Sequence, residues 1–275
     1  MSELILPQTD TLLLEHKDHA LLVTLNRPEV KNAMSLQMVH ELMAVFKAAA
    51  TDLSIRSIVL RGAEGNFCSG GDINDMASAR GALAGKQDTD TDPFYHLNRE
   101  FGRLITTANA SPQVVVTVLE GAVLGGGFGL ACVSDVAIAS QRARFGLPET
   151  GLGIPPAQIA PFVVSRIGLT QARRLALLGA RIDGDEALRL GIVHYSCASE
   201  ALIDSTLDDV LQQIRRCAPQ ANATTKALML SVGQQPLESL LDQAARDFSA
   251  SVQGAEGQEG TRAFIQKRLP AWAEG

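Results

Sequence analysis

Short apolar runs alternate with helically spaced apolar positions along the first two thirds of the chain. The runs 21–25 (LLVTL) and 114–119 (VVVTVL) are rich in β-branched residues and predict strands. Between them, one segment that Ser35 is placed to cap has the spacing of a helix. Its apolar positions are Leu36, Val39, Leu42, Met43 and Phe46. This alternation predicts an α/β core.

The same pattern continues to about residue 198 and then changes. Residues 55–61, 136–139 and 192–195 predict further strands, and 94–108 predicts a helix. Residues 144–156 are rich in Gly and Pro and predict a loop. From Glu200 onward the pattern is helical. We therefore predict two parts, an α/β core over 1–198 and a helical region over 199–275.

Composition and charge narrow the class of protein. Hydrophobic residues make up 46% of the 275 residues and charged residues 20%, which is typical of a globular protein. The net charge of −6 disfavours nucleic-acid and anionic membrane partners. The four cysteines form no C-x-x-C pair and no H-E-x-x-H occurs, so we expect no metal site. The N-terminus lacks a signal-peptide pattern, and we expect a cytoplasmic protein.

Three glycine-bearing loops are the candidate chemistry of the sequence. They are 67–73 (FCSGGDI), 121–129 (GAVLGGGFG) and 145–151 (FGLPETG). A glycine after a strand lets a backbone N–H approach a ligand closely, and a helix start adds positive potential. Two such loops together predict an oxyanion hole, although each loop taken alone is also typical of a tight turn.

Five segments resemble the crotonase (enoyl-CoA hydratase/isomerase) superfamily in family order. They are 25–34 (LNRPEVKNAM), 67–73, 121–131, 145–154 and 259–268 (EGTRAFIQKR). The resemblance covers nearly the whole chain. It implies a spiral of repeated ββα units followed by a C-terminal helical trimerisation region, and a homotrimer or hexamer as the assembly.

The resemblance also implies the reacting residues. Gly71 and Gly126 match the two family positions whose N–H groups bind the thioester oxygen. Glu149 matches a catalytic Glu that moves a proton at the carbon next to the thioester. The substrate implied is an acyl-CoA thioester, so coenzyme A arrives with the substrate and we expect no separate cofactor.

Six further positions match family contacts to coenzyme A, and Lys31 is a candidate phosphate contact. Lys31, Ala33, Ser69, Asp72 and Ile73 belong to the first two segments. Phe264 and Lys267 match a C-terminal pair that reaches the coenzyme A of a neighbouring subunit. Arg27 is interpreted as an anchor of the first turn.

One departure from the family bears on the substrate. Hydratases with two carboxylates carry a second Glu where this chain has Gly129, so Glu149 stands alone. We expect this to leave room beside the β-carbon and to suit a β-branched substrate. The second loop resembles a subgroup acting on isohexenylglutaconyl-CoA or 3-methylglutaconyl-CoA in acyclic terpene or leucine breakdown. Such substrates carry a second carboxylate, for which Arg166 and Lys86 are candidate partners.

The sequence leaves three functions open. The first is a lyase that reversibly hydrates the α,β double bond of a β-branched enoyl-CoA. The second is an isomerase, since one carboxylate is enough to shuttle a proton between carbons. The third is a non-enzymatic member that binds acyl-CoA or RNA, which the acidic charge and the retained Glu149 disfavour.

Overall fold

Two sheets run through the first part of the chain, and the computed structural model describes residues 6–82 and 92–273. The main sheet has, in spatial order, β1 (Leu12–Lys17), β2 (Ala20–Leu25), β3 (Ser57–Gly62), β4 (Val114–Leu119), β6 (Val136–Ser140) and β9 (Tyr195–Cys197). The second sheet has β5 (Ala122–Leu124), β7 (Arg144–Gly146) and β8 (Arg181–Ile182). Pairing in the main sheet is parallel except between β1 and β2.

Ten α-helices accompany the strands within the described residues. Six lie in the first part, namely α1 (Leu36–Ala49), α2 (Ile73–Ala82), α3 (Pro93–Asn109), α4 (Gly126–Val133), α5 (Ala160–Leu178) and α6 (Gly184–Arg189). Four form the second part, namely α7 (Glu200–Arg215), α8 (Pro219–Leu230), α9 (Leu237–Gln253) and α10 (Ala255–Ile265).

Successive strand–strand–helix units build the spiral. In each of β4–β5–α4 and β6–β7–α5, the first strand joins the main sheet, the second joins the other sheet, and a helix follows. The α/β class and the ββα architecture are confirmed. Every residue of α4 is buried, and the rings of Phe128 and Phe145 meet edge to face in the core at 6.2 Å between centroids.

Local signals placed several helices correctly. Ser35 caps α1 by accepting the N–H of Met38 at 3.2 Å, and the α3 helix spans the predicted 94–108 segment. The segment 144–156 is not wholly a loop, because β7 occupies its start. Helix α5 bends at Gly168, which adopts φ 73°.

Two strands differ from the predictions. Strand β1 was not predicted, and the last strand begins at Tyr195 instead of spanning 192–195. Three-residue strands such as β7 and β9 are too short to show a period, so their pairing depends on neighbours that are remote in the chain.

The helical region contacts the core through a partly buried ion pair. Lys226 of α8 donates to Asp135 Oδ2 at 2.6 Å and to the carbonyl of Gln113 at 3.1 Å. Asp135 in turn accepts the backbone N–H of Val115 at 2.7 Å. Within 6–82 and 92–273, the helices include none long and apolar enough to cross a membrane.

Candidate active site

Hydrogen bonds hold the first glycine loop, residues 67–73, on both sides. Among the described residues they leave the backbone N–H of Gly71 without an acceptor. Cys68 pairs with β5, and the carbonyl of Gly70 accepts the N–H of Met34 at 2.8 Å. The N–H of Asp72 donates to the carbonyl of Met34 at 3.1 Å. Since neighbouring residues of an extended segment face opposite ways, the N–H of Gly71 faces away from Met34. It finds no acceptor among the described residues.

The second glycine loop starts a buried helix. Gly125 adopts φ 49°, and its N–H donates to the carbonyl of Gly146 at 3.1 Å. Gly126 is the first residue of α4, so its N–H lacks an intrahelical acceptor and lies at the positive end of the helix dipole. Two unpaired N–H donors, those of Gly71 and Gly126, are thus fixed by backbone geometry.

Three contacts bring the loops together. A Cβ built on Gly125 lies 3.5 Å from Gly70 Cα and 2.8 Å from Glu149 Oε1. A Cβ built on Gly126 lies 3.7 Å from the sulfur of Met34, whose backbone holds the first loop. The structure therefore assembles the two predicted donor glycines and Glu149 in one place.

Glu149 opens a 3₁₀ turn, Glu149–Leu152, that follows β7. Its Oε2 is buried and has no hydrogen-bond partner among the residues that the structure describes. Burial raises the pKa of Glu149 above its ordinary value of 4.5, and the hydrogen bond from its own N–H offsets part of that effect. A carboxyl group with a raised pKa and an unused oxygen is suited to taking up and returning a proton.

Other side chains fill the position of the missing second carboxylate, so the prediction of free space beside the β-carbon is wrong. A Cβ built on Gly129 lies 3.1 Å from Ile105 Cδ1 and 3.2 Å from Ile159 Cγ2. Both isoleucines are buried. Gly129 therefore gives its space to apolar side chains from α3 and from the segment before α5.

Sequence reasoning missed the residues that cover α4. Phe101 of α3 lies 3.0 Å from a Cβ built on Gly126, and Ile105 follows one helical turn later. The helical spacing of Phe101 and Ile105 is visible in the sequence. The packing of these two residues against α4 is not visible in the sequence, because α4 lies more than 20 residues away in the chain.

The predicted coenzyme A positions of the first two segments lie side by side. Ser69 Oγ donates to the carbonyl of Val30 at 2.9 Å, and the N–H of Ser69 donates to the carbonyl of Lys31 at 3.0 Å. Arg27 Nη1 donates to the carbonyl of Ala33 at 2.7 Å and contacts Asp72 Oδ2 at 2.7 Å.

These contacts divide the positions by role. The carboxylate of Asp72 is buried in an ion pair with Arg27, so only its backbone remains free for a ligand. Lys31 is exposed at φ 51°, and Ile73, at the start of α2, is 79% exposed. Arg27 serves as the anchor of the first turn.

The C-terminal pair is not brought to these loops by contacts within one chain. Phe264 lies on α10 and is 86% exposed, and Lys267 follows that helix at φ 54°. Helix α10 packs on α9. Their predicted contact with a neighbouring subunit's coenzyme A remains a prediction.

No cluster of three or more His, Cys, Asp or Glu residues suited to a metal ion occurs within the described ranges. The four cysteines are free thiols. Burial raises the pKa of Cys68 to about 11, so this thiol is protonated and packs within the first glycine loop.

Comparison with known proteins agrees with this geometry. Residues 15–275 match the family model described as enoyl-CoA hydratase/isomerase. The 2,3-dehydroadipyl-CoA hydratase of Escherichia coli (strain K12) is 30% identical over 94% of this chain and 97% of that protein. The mevalonyl-coenzyme A hydratase SIDH of Beauveria bassiana is 30% identical over 96% of this chain and 95% of that protein.

A solved structure shows the same fold along the whole chain. Pseudomonas aeruginosa AtuE is 60% identical, has a TM-score of 0.92, and matches 96% of this chain and 100% of that one. The chain belongs to the enoyl-CoA hydratase/isomerase family, with the crotonase fold. It is an enzyme of the hydro-lyase type that this family contains, acting on enoyl-CoA thioesters.

Proposed function

We propose that this enzyme reversibly hydrates the α,β double bond of a β-branched enoyl-CoA thioester. The substrate type is isohexenylglutaconyl-CoA or 3-methylglutaconyl-CoA, in acyclic terpene or leucine breakdown. The observation that carries the proposal is the buried, unpartnered oxygen of Glu149 beside two fixed N–H donors without acceptors in the described chain.

The geometry supports a reaction with one carboxylate. Glu149 accepts a proton from water, whose oxygen forms a bond to the β-carbon. The electron pair of the double bond moves toward the thioester, and the N–H groups of Gly71 and Gly126 stabilise the negative charge on its oxygen. Glu149 then returns the proton to the α-carbon, so one water is added and no redox cofactor is needed.

The wall at Gly129 supports the branch on the substrate. The place of a second carboxylate is taken by the methyl groups of Ile105 and Ile159. An apolar surface there favours contact with an alkyl substituent on the β-carbon. SIDH is named for a thioester of mevalonic acid, whose carbon chain is methyl-branched at the β-carbon.

A second carboxylate on the substrate has support of its own. The Escherichia coli relative is named for a thioester of a dicarboxylic acid, as glutaconyl thioesters also are. The proposal therefore combines two features, a β-branch and a distal carboxylate, that are found separately in the substrates for which these two relatives are named.

For coenzyme A we propose the backbone of Ala33, Ser69, Asp72 and Ile73, with Lys31 as a phosphate contact. Phe264 and Lys267 are proposed to reach coenzyme A held by a neighbouring subunit. This requires an oligomer, and we propose a homotrimer or hexamer. We place the enzyme in the cytoplasm, in keeping with its free thiols.

An apolar stripe on α9 supports the oligomer. Leu237, Leu241, Phe248 and Val252 repeat at helical spacing, and each is about half exposed or more. Leu240, at the edge of this stripe, is buried against the rest of the chain. A stripe of this kind is typical of a helix that packs on another protein surface.

One alternative function has a specific observation in its favour. An isomerase that moves the double bond needs one proton-shuttling group, and Glu149, whose Oε1 lies 2.8 Å from a Cβ built on Gly125, provides one. The two reactions differ in the mass of the product, because hydration adds one water and isomerisation adds nothing.

The test is mass-resolved turnover of 3-methylglutaconyl-CoA, isohexenylglutaconyl-CoA and crotonyl-CoA. We expect the branched thioesters to gain one water, and Glu149→Gln to abolish the gain. Glu15→Gln is the matched control, since Glu15 is an exposed carboxylate in β1. A moved double bond at constant mass supports the isomerase instead, and full activity of Glu149→Gln removes Glu149 from the mechanism.

A further inference from the structure

Arg99 on α3 is a half-buried arginine without a carboxylate partner among the described residues. Two other partly buried arginines of this chain are ion-paired. Arg27 contacts Asp72 at 2.7 Å, and Arg61 contacts Glu120 at 2.8 Å. Within 6–82 and 92–273, the hydrogen bond that Arg99 makes is a long one, from Nη1 to Gln158 Oε1 at 3.4 Å. Its guanidinium therefore keeps most of its donors for another acceptor.

A small polar cluster fixes where this guanidinium lies. Gln158 Nε2 donates to Asn98 Oδ1 at 3.0 Å, which leaves Gln158 Oε1 to accept from Arg99. Gly102 makes the space for both groups. A Cβ there would collide with Gln158 Oε1 and come within 2.7 Å of Arg99 Nη1.

The cluster borders the acyl side of the active site. Gly102 follows Phe101, whose ring covers Gly126, and Gln158 precedes Ile159, which covers Gly129. Three residues of helix separate Gly102 from Ile105, a rise of about 4.5 Å. The guanidinium thus lies over Gly102, about one helical turn along α3 from the apolar wall that we propose contacts the substrate's β-branch.

Of the two cations suggested by the sequence, Arg166 is engaged elsewhere and Lys86 falls outside the part of the chain that the structure describes. Arg166 directs its donors to backbone carbonyls, with Nε and Nη2 bonded to Ile192 and Nη1 bonded to Ser134. It joins α5 to the end of α4 and is not free for a ligand, which corrects that expectation. Lys86 lies outside the described residues.

We propose that Arg99 binds the second carboxylate of the acyl group, at the end remote from the thioester. Gln158 is a positioning residue that holds the guanidinium over Gly102. This inference rests on the proposed function, and it makes the substrate class a dicarboxylic enoyl thioester. An arginine suits the task because its planar fork donates two parallel hydrogen bonds to one carboxylate.

The experiment compares thioesters that differ only in the distal carboxylate. Binding of 3-methylglutaryl-CoA and isovaleryl-CoA, both saturated, is measured by calorimetry, so the result does not depend on turnover. We expect Arg99→Gln to weaken the dicarboxylic ligand about 10- to 100-fold, the range for a lost charged hydrogen bond. Binding of isovaleryl-CoA is expected to change less than about twofold, because Arg99 contacts no other part of the ligand.

Two further variants separate recognition from structure. Arg103→Gln removes the same charge one turn later on α3, at an exposed arginine paired with Glu100, and is expected to leave both affinities unchanged. Gly102→Ala displaces Gln158 and Arg99, the flexible ends of two side chains, and is expected to weaken the dicarboxylic ligand alone. Raised salt is expected to reduce the wild-type preference and to leave Arg99→Gln unaffected.

Equal losses of affinity for both ligands in Arg99→Gln, or no loss of affinity for either ligand, overturn the inference. Failure of the proposed function has a different signature. It appears when the wild-type enzyme adds no water to a β-branched enoyl thioester, whatever the two saturated ligands show. A wild-type preference for the dicarboxylic ligand that Arg99→Gln retains assigns the carboxylate to another group and also overturns the inference.

Discussion

The centre of the spiral and the C-terminal helices leave opposite kinds of groups without partners. Around α4 the surroundings are apolar and buried, and the groups without a partner in the described part of the chain are polar, namely two N–H donors and Glu149 Oε2. On α9 and α10 the surroundings are water, and the unpaired groups are large apolar side chains such as Phe248 and Phe264.

The difference teaches what each region binds. Buried polar groups without partners cost free energy, so a fold keeps them where a polar ligand repays that cost. Exposed apolar side chains in a row gain free energy from another protein surface. The first region is suited to a thioester and its reacting water, and the second to further copies of the chain.

The largest expected effect on activity comes from removing the charge of Glu149. Glu149→Gln is expected to lower kcat/KM by about 10²–10⁴-fold, the usual contribution of a general base. In the wild-type enzyme, kcat/KM for hydration is expected to fall as pH drops through the raised pKa of Glu149, since the base must be ionised. The pH profile measures this, and an acid limb below the ordinary value of 4.5 contradicts it.

The next effect comes from adding one carbon where the loops converge. Gly125→Ala introduces a Cβ 2.8 Å from Glu149 Oε1 at φ 49° and is expected to cost about 10²-fold in kcat/KM. Gly179→Ala is the matched control, with φ 56° and nothing within 4 Å. Gly179 has ψ 31° and Gly125 has ψ −113°, so this control tests only the effect of a Cβ at positive φ. A similar loss of kcat/KM in both variants would attribute the effect to the positive φ and not to the contact with Glu149.

A Glu placed at position 129, where two-carboxylate hydratases carry one, is expected not to act as a second catalytic carboxylate. Gly129→Glu forces its side chain against Ile105 and Ile159, and overpacking of this kind costs about 1–3 kcal/mol of unfolding free energy. We expect lower stability in denaturant and no gain in crotonyl-CoA hydration. Gly81→Glu, in open space on α2, is the control. A stable Gly129→Glu enzyme with new crotonyl-CoA activity would refute the packing argument.

The helical region is expected to respond in assembly and not in stability. Phe248→Asp places a charge in the exposed apolar stripe and is expected to shift the oligomer toward monomer by light scattering. Secondary structure is expected to persist, because a surface substitution changes stability by about 0.5 kcal/mol or less. Ala250→Asp, exposed on the opposite face of α9, is expected to leave the mass unchanged. An unchanged mass for Phe248→Asp would exclude this stripe from the interface.

The smallest expected effect is a gain in thermal stability in Glu149→Gln, the variant that is expected to lose activity. Because the folded pKa of Glu149 is raised, its contribution to stability is present below the unfolded value of 4.5 and lost as pH rises through the folded value. Glu149→Gln avoids the buried charge, so its Tm is expected to exceed that of wild type at pH 7–8. The difference should vanish below pH 4.5, and a lower Tm at neutral pH would contradict the assignment.

The sequence by itself determined the fold class and the three loops of the site. The alternation of apolar runs with helical spacing is a local property, and so is the cap of α1 by Ser35. The glycines of the first two loops indicated places where the backbone can approach closely, and Gly70 and Gly125 in those loops adopt positive φ. These signals are readable because each depends on residues within a few positions of one another.

Only the tertiary structure decided what fills the space around those loops. In the sequence, Gly129 indicates open space. In the structure, Ile105 and Ile159, from two other elements, occupy that space. The sequence does not distinguish Arg166 from Arg99, but Arg166 makes three hydrogen bonds to the carbonyl groups of Ile192 and Ser134, whereas Arg99 makes one long hydrogen bond to Gln158. Such outcomes depend on contacts between segments remote along the chain, and a local pattern carries no record of them.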